Sequence, residues 1–295
     1  AERLKVADRA RLEAQAGTSR SSSHSSSSSR SPFTYPELTR CLEARAAQER
    51  KLRAYVEKTA PLVATARAAI DDAARRNDAV ALRGARHRFA VLMGRVHDES
   101  DAITWNGAAN AASRPAFVAK YGCVAWTDEA LDEIASHAPI VEIGAGLGQW
   151  QRALTRERRV DVAAFDDHSA LPLPNRVHQN GVHHKDVSRR MVGDVRRGDE
   201  SALRGRRARG RTLLVVYPEG QLLRKCVERY EGDVVLFVGE GRGGVNASSD
   251  ETFDALERTH EVVRTTEVRP FPGGCEKLWT LRRRRKKDER TSAAK

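Results

Sequence analysis

The sequence predicts an α/β protein with a mostly parallel, seven-stranded, doubly wound sheet. An antiparallel C-terminal hairpin strand closes the sheet, and an α-helical extension precedes it. Three observations lead to this prediction. Several short runs are apolar throughout, as in strands buried on both faces; helix-like stretches alternate with them; and the last two strand patterns are separated by a short turn.

The strand patterns follow one another through the C-terminal two thirds of the chain. A third strand is expected near Val195, and the other strand patterns cover residues 140–143, 159–165, 212–217, 233–238, 261–269 and 276–283. Helix-like stretches cover residues 128–137, 149–158, 221–229 and 250–258. The turn 271–275, Phe-Pro-Gly-Gly-Cys, is too short for a parallel crossover, so the final two strands are predicted to be antiparallel.

A glycine-rich turn joins the first of these strands to a helix. Gly144, Gly146 and Gly148 alternate directly after the run Ile-Val-Glu-Ile. Glycine has no Cβ, so such a turn can take positive φ and bring its backbone close to a ligand. A dinucleotide fingerprint needs a glycine three residues after Gly146, and the chain has Gln149 there.

The spacing Glu142-x-Gly144-x-Gly146-x-Gly148 resembles motif I of the class I methyltransferases that use S-adenosylmethionine. In that superfamily the turn supports the methionine part of the cofactor, and the acidic residue orders the loop. The resemblance covers roughly residues 114–283 and is closest to a largely uncharacterised branch. The cofactor contacts that it implies are Tyr121, Glu142, Gly144, Ala145, Gly146, Gly148, Asp166, Asp199 and Pro218.

Two acidic positions support this interpretation. Asp166 ends the second strand pattern 20 residues after Gly146, where this architecture holds ribose hydroxyls, with Asp167 as the alternative. Without the glycine turn, the two aspartates would be interpreted as a polar turn. The resemblance implies that Asp199 faces the adenine amino group, and Asp194 competes for that role.

The tip of the fourth strand departs from a known pattern. Methyltransferases acting on base amines or glutamine often carry Asn/Asp-Pro-Pro-Tyr/Phe there, whereas this chain has Tyr217-Pro218-Glu219-Gly220. Amine methylation of that type is therefore in doubt. The same branch shares a Lys120-Tyr121 lead-in and a Val-Gly-Glu-Gly stretch, which here is 238–241.

Methyl transfer from a sulfonium is an in-line displacement that depends mainly on alignment, so no catalytic nucleophile is required. A general base is needed only for an acceptor that must lose a proton. The candidate catalytic residues at the strand tips are Tyr217, Glu219 and Glu240, with Tyr121 and the histidines of the connection 168–190 as further possible bases. Each has a structural alternative, as a solvated loop acid or a packing aromatic.

No metal site is predicted. The histidines of the long connection and the cysteines form neither a Cys-x-x-Cys nor a His-x-x-x-His pair. We expect the connection itself to be an active-site loop or a disordered segment. The four cysteines, Cys41, Cys123, Cys226 and Cys275, are expected to be isolated intracellular thiols.

Four segments are predicted. Residues 1–35 are a disordered Ser/Arg-rich lead, 36–110 a helical extension, 111–283 a methyltransferase-like domain, and 284–295 a basic disordered tail. Within the extension, Pro61 and Asn77-Asp78 are expected to separate two or three helices packed as a hairpin.

The net charge of +12 is concentrated outside the proposed catalytic region. Basic and acidic residues are equal in number, 25 each, between residues 111 and 280, whereas residues 281–295 have 8 basic against 2 acidic. Basic clusters at 196–211 and 282–287 are either solvated or a nucleic-acid contact, and the second is also typical of nuclear import signals. No apolar run is long enough for a membrane span or a secretion signal, so we expect a cytoplasmic or nuclear location without membrane contact.

The sequence therefore favours a methyltransferase that uses S-adenosylmethionine and acts on an unidentified acceptor, in an unknown oligomeric state. Two alternatives remain open, a catalytically inactive methyltransferase-like scaffold and a nucleic-acid-binding protein. A nicotinamide oxidoreductase is disfavoured by Gln149 and by the C-terminal hairpin.

Overall fold

The computed structural model describes residues 31–105, 114–169 and 191–284, with the side chains of residues 105, 114 and 115 left out. The predictions made for most of the Ser/Arg-rich lead, for the basic tail after residue 284 and for His178, His183 and His184 lie outside these residues.

The described elements begin with helices and continue as alternating strands and helices. In chain order they are α1 (Leu38–Arg75), α2 (Ala79–Trp105), α3 (Arg114–Tyr121), β1 (Val124–Ala125), α4 (Asp128–Ala135), β2 (Ile140–Ile143), α5 (Gln149–Arg158), β3 (Val162–Asp166), β4 (Val195–Arg197), a 3₁₀ turn (Glu200–Arg204), β5 (Thr212–Val216), α6 (Leu222–Arg229), β6 (Val234–Glu240), α7 (Asp250–Thr259), β7 (His260–Glu267), β8 (Arg269–Pro270) and β9 (Glu276–Arg283).

Seven strands form one sheet in the order β4-β3-β2-β5-β6-β9-β7. The first five strands are parallel, and β9 runs antiparallel to both β6 and β7. The predicted mostly parallel sheet and its antiparallel C-terminal hairpin are thus confirmed. A small antiparallel sheet of β1 and β8, which the sequence did not predict, joins the lead-in segment to the turn before β9.

Apolar side chains alternate between two clusters along the central strands. Leu213 and Val215 of β5 belong to one cluster with residues of α6 and α7, whereas Leu214 between them belongs to a second cluster with residues of α4 and α5. Successive side chains of a strand point to opposite faces. Helices therefore cover both faces, and this explains why the strand is apolar at every position.

Helix ends are fixed by local chemistry. Thr127 caps α4, since its Oγ1 accepts the Ala130 N–H at 3.1 Å, and Asp128 and Glu129 place acids in the first turn. α5 begins after Gly148 and ends at Arg159, both with left-handed backbone. These ends set the short connections that return the chain from β2 to β3.

The N-terminal extension consists of two long helices packed as a hairpin. The predicted break at Asn77-Asp78 is confirmed, and the Asp78 carboxylate accepts the N–H groups of Val80 and Ala81 at the start of α2. The predicted break at Pro61 is wrong, because α1 continues through it. Pro61 is exposed, so the carbonyl that it leaves without a donor can be hydrated while packing against α2 continues on both sides. No helix in the described ranges is long and apolar enough to cross a membrane.

The hairpin is attached to the turn before β9. Cys41 of α1 and Cys275 form a disulfide with a Cα–Cα distance of 6.0 Å, and the Tyr35 hydroxyl donates to the Cys275 carbonyl. The expectation of four isolated thiols is therefore wrong for this pair, whereas Cys123 and Cys226 are not disulfide-bonded. The two cysteines are 234 residues apart in sequence, so their spacing gave no signal of the pairing.

We predict that this disulfide contributes measurably to stability, because it closes a very long loop. Replacing both Cys41 and Cys275 with Ser should lower the free energy of unfolding by about 2–5 kcal/mol in chemical denaturation. Reductant should lower the stability of the wild-type protein to the same value and leave that of the double variant unchanged. Peptide mapping without reductant that recovers both cysteines as free thiols would contradict the pairing.

Candidate functional site

The carboxyl ends of the parallel strands bring the predicted site residues to one edge of the sheet. Gly144 follows β2, Asp166 ends β3, Asp199 follows β4, Tyr217 follows β5 and Glu240 ends β6. Neighbouring strands are about 4.8 Å apart, so these five positions form a row of about 20 Å in the order of the strands. The predicted cofactor and acceptor residues therefore share one edge.

The turn after β2 is shaped by left-handed glycines. Gly144, Gly146 and Gly148 have φ of 75°, 59° and 85°. A Cβ on Gly148 would lie 2.7 Å from Val195 Cγ2 and 2.8 Å from Gly193 Cα, so that glycine is required by close packing. A Cβ on Gly146 would meet no atom within 4 Å among the described residues, so this backbone faces open space. The turn thus has one face packed and one face free for a ligand.

A buried carboxyl group, Glu142, and a partly buried one, Asp166, lie beside the turn. Asp166 Oδ2 accepts the Gly146 N–H at 2.9 Å, and Asp166 Oδ1 accepts the His168 N–H at 2.7 Å. Glu142 is 1% exposed, and its Oε2 has no hydrogen-bond partner among the described residues. Burial, and then the charge of Asp166, raise the pKa of Glu142 to about 8; burial also raises the pKa of Asp166.

The other aspartates lie at more exposed positions. Asp199 caps the 3₁₀ turn, with Oδ1 accepting the Ser201 N–H at 2.9 Å, and its hydrogen bonds with the Ser201 side chain and backbone lower its pKa. Asp199 follows the carboxyl end of β4, whereas Asp194 precedes that strand and donates its N–H to Gln151 Oε1. Asp167 Oδ1 accepts both the N–H and the hydroxyl of Ser169.

The lead-in segment packs beside the start of α5. Tyr121 is 4% exposed and lies between Phe117 and Trp126, with ring centroids 5.3 and 5.0 Å away. The Gln149 side chain donates to the Val118 carbonyl at 3.2 Å, and Trp150 donates to the Val124 carbonyl. The structure thus brings Tyr121 near the glycine turn as a packed aromatic residue.

The tip of β5 presents a half-buried tyrosine. Tyr217 has left-handed backbone with φ of 49°, and its N–H donates to the Val238 carbonyl at 2.7 Å. Burial, followed by the charge of Glu276, raises the pKa of its hydroxyl, so that this group stays protonated and can donate. Pro218 is half-buried and Glu219 is exposed.

Glu240 is at the predicted strand tip, but it already has partners. Its Oε1 accepts the Cys275 N–H at 3.2 Å and lies 3.5 Å from an Arg45 guanidinium nitrogen, while Oε2 accepts the Asn246 N–H at 2.6 Å. Glu240 therefore joins α1, the loop after β6 and the turn before β9. Its predicted catalytic role competes with this structural one.

The residue that sequence reasoning missed is Glu276. It begins β9 directly opposite Glu240, is 3% exposed, and its Oε2 has no hydrogen-bond partner among the described residues. Burial, and then Glu240, raise its pKa to about 8. The period-2 pattern Glu276-x-Leu278-x-Thr280 could have indicated an acid on a buried strand face.

The predicted histidine bases and possible metal ligands add no further site residue within the described ranges. His168 Nε2 is buried without a hydrogen-bond partner among the described residues, and the other histidines of the connection lie outside them. Within the described ranges no group of three His, Cys, Asp or Glu side chains could hold a metal ion.

The two basic clusters are divided between the edges of the sheet. Arg196 and Arg197 are exposed on β4, and Arg197 ends that strand at the carboxyl edge in register with Asp166. Arg211 precedes β5 and Arg282 is close to the end of β9, both at the opposite edge. The Arg211 guanidinium pairs with Asp161 at 2.6 Å.

Comparison with known proteins does not identify a family for this chain. No protein-family model matches the chain, and no curated protein is significantly similar to it.

Glu142 gives a pH prediction. Because its folded pKa is about 8 against an ordinary 4.5, the folded chain keeps a proton that the unfolded chain has lost between these values. Stability should therefore fall as pH rises from about 5 to 8. Glu142→Gln should remove about half of this fall in denaturant midpoints, since Glu276 contributes in the same direction. An unchanged pH dependence in the variant would show that Glu142 is ionised in the fold.

Proposed function

We propose that the protein is a methyltransferase that binds S-adenosylmethionine at the carboxyl edge of its sheet and aligns it with an acceptor for in-line methyl transfer. The observation that carries the proposal is the open glycine turn at Gly146, supported by the buried Glu142 and by the partly buried Asp166, whose carboxylate accepts the Gly146 N–H.

The strand order supports this location. From β2 the chain proceeds outward to β3 and β4, and then returns to β5 on the other side of β2. The order of the first five strands is the one found in doubly wound nucleotide-binding sheets, whose ligands occupy the crevice where the order reverses. In this chain that crevice lies between Gly144 and Tyr217. The antiparallel hairpin β7–β9 agrees with the methyltransferase resemblance and argues against a nicotinamide-binding domain.

The residues present fit the cofactor. The positive sulfonium and amino groups of S-adenosylmethionine favour an acidic surrounding, which the Asp166 carboxylate provides at the turn. Each Asp166 oxygen accepts one N–H and retains a second lone pair for a ribose hydroxyl. The proposed holders of the methionine part are Glu142, Gly144, Ala145, Gly146 and Gly148, with Asp199 near the adenine and Tyr121 and Pro218 at the sides of the crevice.

When bound, the cofactor supplies an electrophilic methyl group. The chain's own contribution is alignment and exclusion of water, for which the rigid turn and the aromatic packing of Tyr121 are suited. The Tyr217 hydroxyl, protonated and half-buried, is placed to donate a hydrogen bond at the acceptor side of the crevice.

We predict that Gly146→Asp abolishes cofactor binding, because it places a charged side chain in the open face of the turn. In calorimetric titration the affinity for S-adenosylhomocysteine should fall by at least about 100-fold, which corresponds to about 2.7 kcal/mol. NAD should not bind to the wild-type protein.

Gly210→Asp is the matched control. Gly210 also has left-handed backbone, with φ of 71°, and a Cβ there would also meet open space among the described residues. It precedes β5 at the opposite edge of the sheet, so this variant carries similar backbone strain but should keep the wild-type affinity. Absence of binding of both sulfur cofactors by the wild-type protein at millimolar concentrations would overturn the proposed function.

A further inference from the structure

A pair of buried glutamates lies beyond Tyr217 along the same edge. Glu240 and Glu276 are directly opposite each other on neighbouring antiparallel strands, an arrangement in which Cβ atoms are about 5 Å apart. Two like charges at such a position destabilise a sheet unless something compensates them. The pair therefore requires an explanation beyond packing.

The two carboxylates are compensated unequally. Glu240 has Arg45 and the N–H groups of Cys275 and Asn246 as partners. Glu276 is 3% exposed, and its Oε2 has no hydrogen-bond partner among the described residues. A buried carboxylate without a partner is costly, so a positive group that reached Glu276 Oε2 would stabilise its ionised form.

Charged and hydroxyl-bearing side chains surround Glu276. Glu240 faces it from β6 and Arg45 from α1, and the hydroxyl-bearing rings of Tyr35 and Tyr217 lie close enough for the charge of Glu276 to raise their pKa values. Once Glu276 ionises, near pH 8, these side chains carry two negative charges and one positive charge. A cation balances that ionised state, whereas a neutral acceptor leaves it unbalanced.

We propose that the methyl acceptor is an aliphatic amine, bound as its ammonium by Glu276 beside Tyr217. This inference rests on the proposed methyltransferase function. Glu276 lies about three strand spacings, or roughly 14 Å, from β2, with Tyr217 between them, which leaves room for donor and acceptor in one crevice. An aliphatic amine acceptor also agrees with the altered tip of β5. A basic amine does not need the Asn/Asp-Pro-Pro-Tyr/Phe motif that methyltransferases acting on base amines often carry there.

The ammonium must lose a proton before it can react. Glu276 takes that proton, the freed nitrogen lone pair forms the N–CH₃ bond, and the S–CH₃ bond breaks with its electron pair remaining on sulfur. The products are the methylated amine and S-adenosylhomocysteine. Burial and Glu240 raise the pKa of Glu276 to about 8, which suits a base that exchanges a proton with an amine near neutral pH.

The test uses 1,5-diaminopentane and its neutral analogue 1,5-pentanediol as probes, titrated at pH 8 into the protein saturated with S-adenosylhomocysteine. The diamine should bind at least about tenfold more tightly than the diol. Glu276→Gln should remove this preference, and Glu276→Asp should retain part of it. Transfer of a labelled methyl group to the diamine should increase with pH up to about 8 and then level off.

Glu231→Gln is the control, because Glu231 is exposed in the turn before β6 at the opposite edge, and it should behave as wild type. Equal affinity of the wild-type protein for diol and diamine, no diamine binding at millimolar concentrations, or a preference that survives in Glu276→Gln would overturn the inference. Titration with S-adenosylhomocysteine alone separates the two proposals. If it does not bind, the proposed function fails, whereas if it binds and the diamine does not, only the acceptor class fails.

Discussion

The left-handed backbone of the turn after β2 is the constraint on which the site depends. Gly144 and Ala145 donate their N–H groups to the Phe165 carbonyl at 2.9 and 3.1 Å, so the turn is an extension of the β2–β3 pairing. Asp166 then fixes the next glycine through its side chain. The N–H groups of Gly144, Ala145 and Gly146 thus all donate towards β3. The opposite face of the turn remains open for a ligand.

The helical hairpin contributes to the chemistry of the same edge. Arg45 of α1 balances the charge of Glu240, and the disulfide of Cys41 holds the turn from which Glu276 begins. Without Arg45, the buried Glu240 carboxylate would lose its ion pair. The extension is thus part of the electrostatic environment of the proposed acceptor site.

Charge at the surface and charge in the site have different roles. The chain is strongly basic, and Arg211 and Arg282 lie at the edge opposite the glycine turn, whereas the exposed Arg196 and Arg197 lie beside Asp166. Glu142 below the turn is buried, and Tyr217 at the tip of β5 is half-buried. The exposed basic residues are thus divided between the two edges, while the acid and the aromatic residue of the proposed crevice are covered.

Features that depend on residues close in sequence could be predicted, whereas features that depend on residues distant in sequence could not. The strands at 212–217 and 233–238 were predictable because burial on both faces leaves an apolar signal at every position. The helix break predicted at Pro61 was wrong because the packing of two long helices outweighs the loss of one hydrogen bond. Asp166 was found through its distance in sequence from the glycines, whereas Glu276 was missed because its significance depends on Glu240, 36 residues away.

The alternation of strands and helices, the terminal hairpin and the glycine turn could be predicted from the sequence, because each follows from short-range periodicity or from a residue's own backbone preferences. The pairing of Cys41 with Cys275, the ion pair of Glu240 with Arg45 and the unpartnered Oε2 of Glu276 became visible in the folded chain. Burial and charge compensation depend on neighbours in space. A sequence pattern does not specify which distant residues those will be.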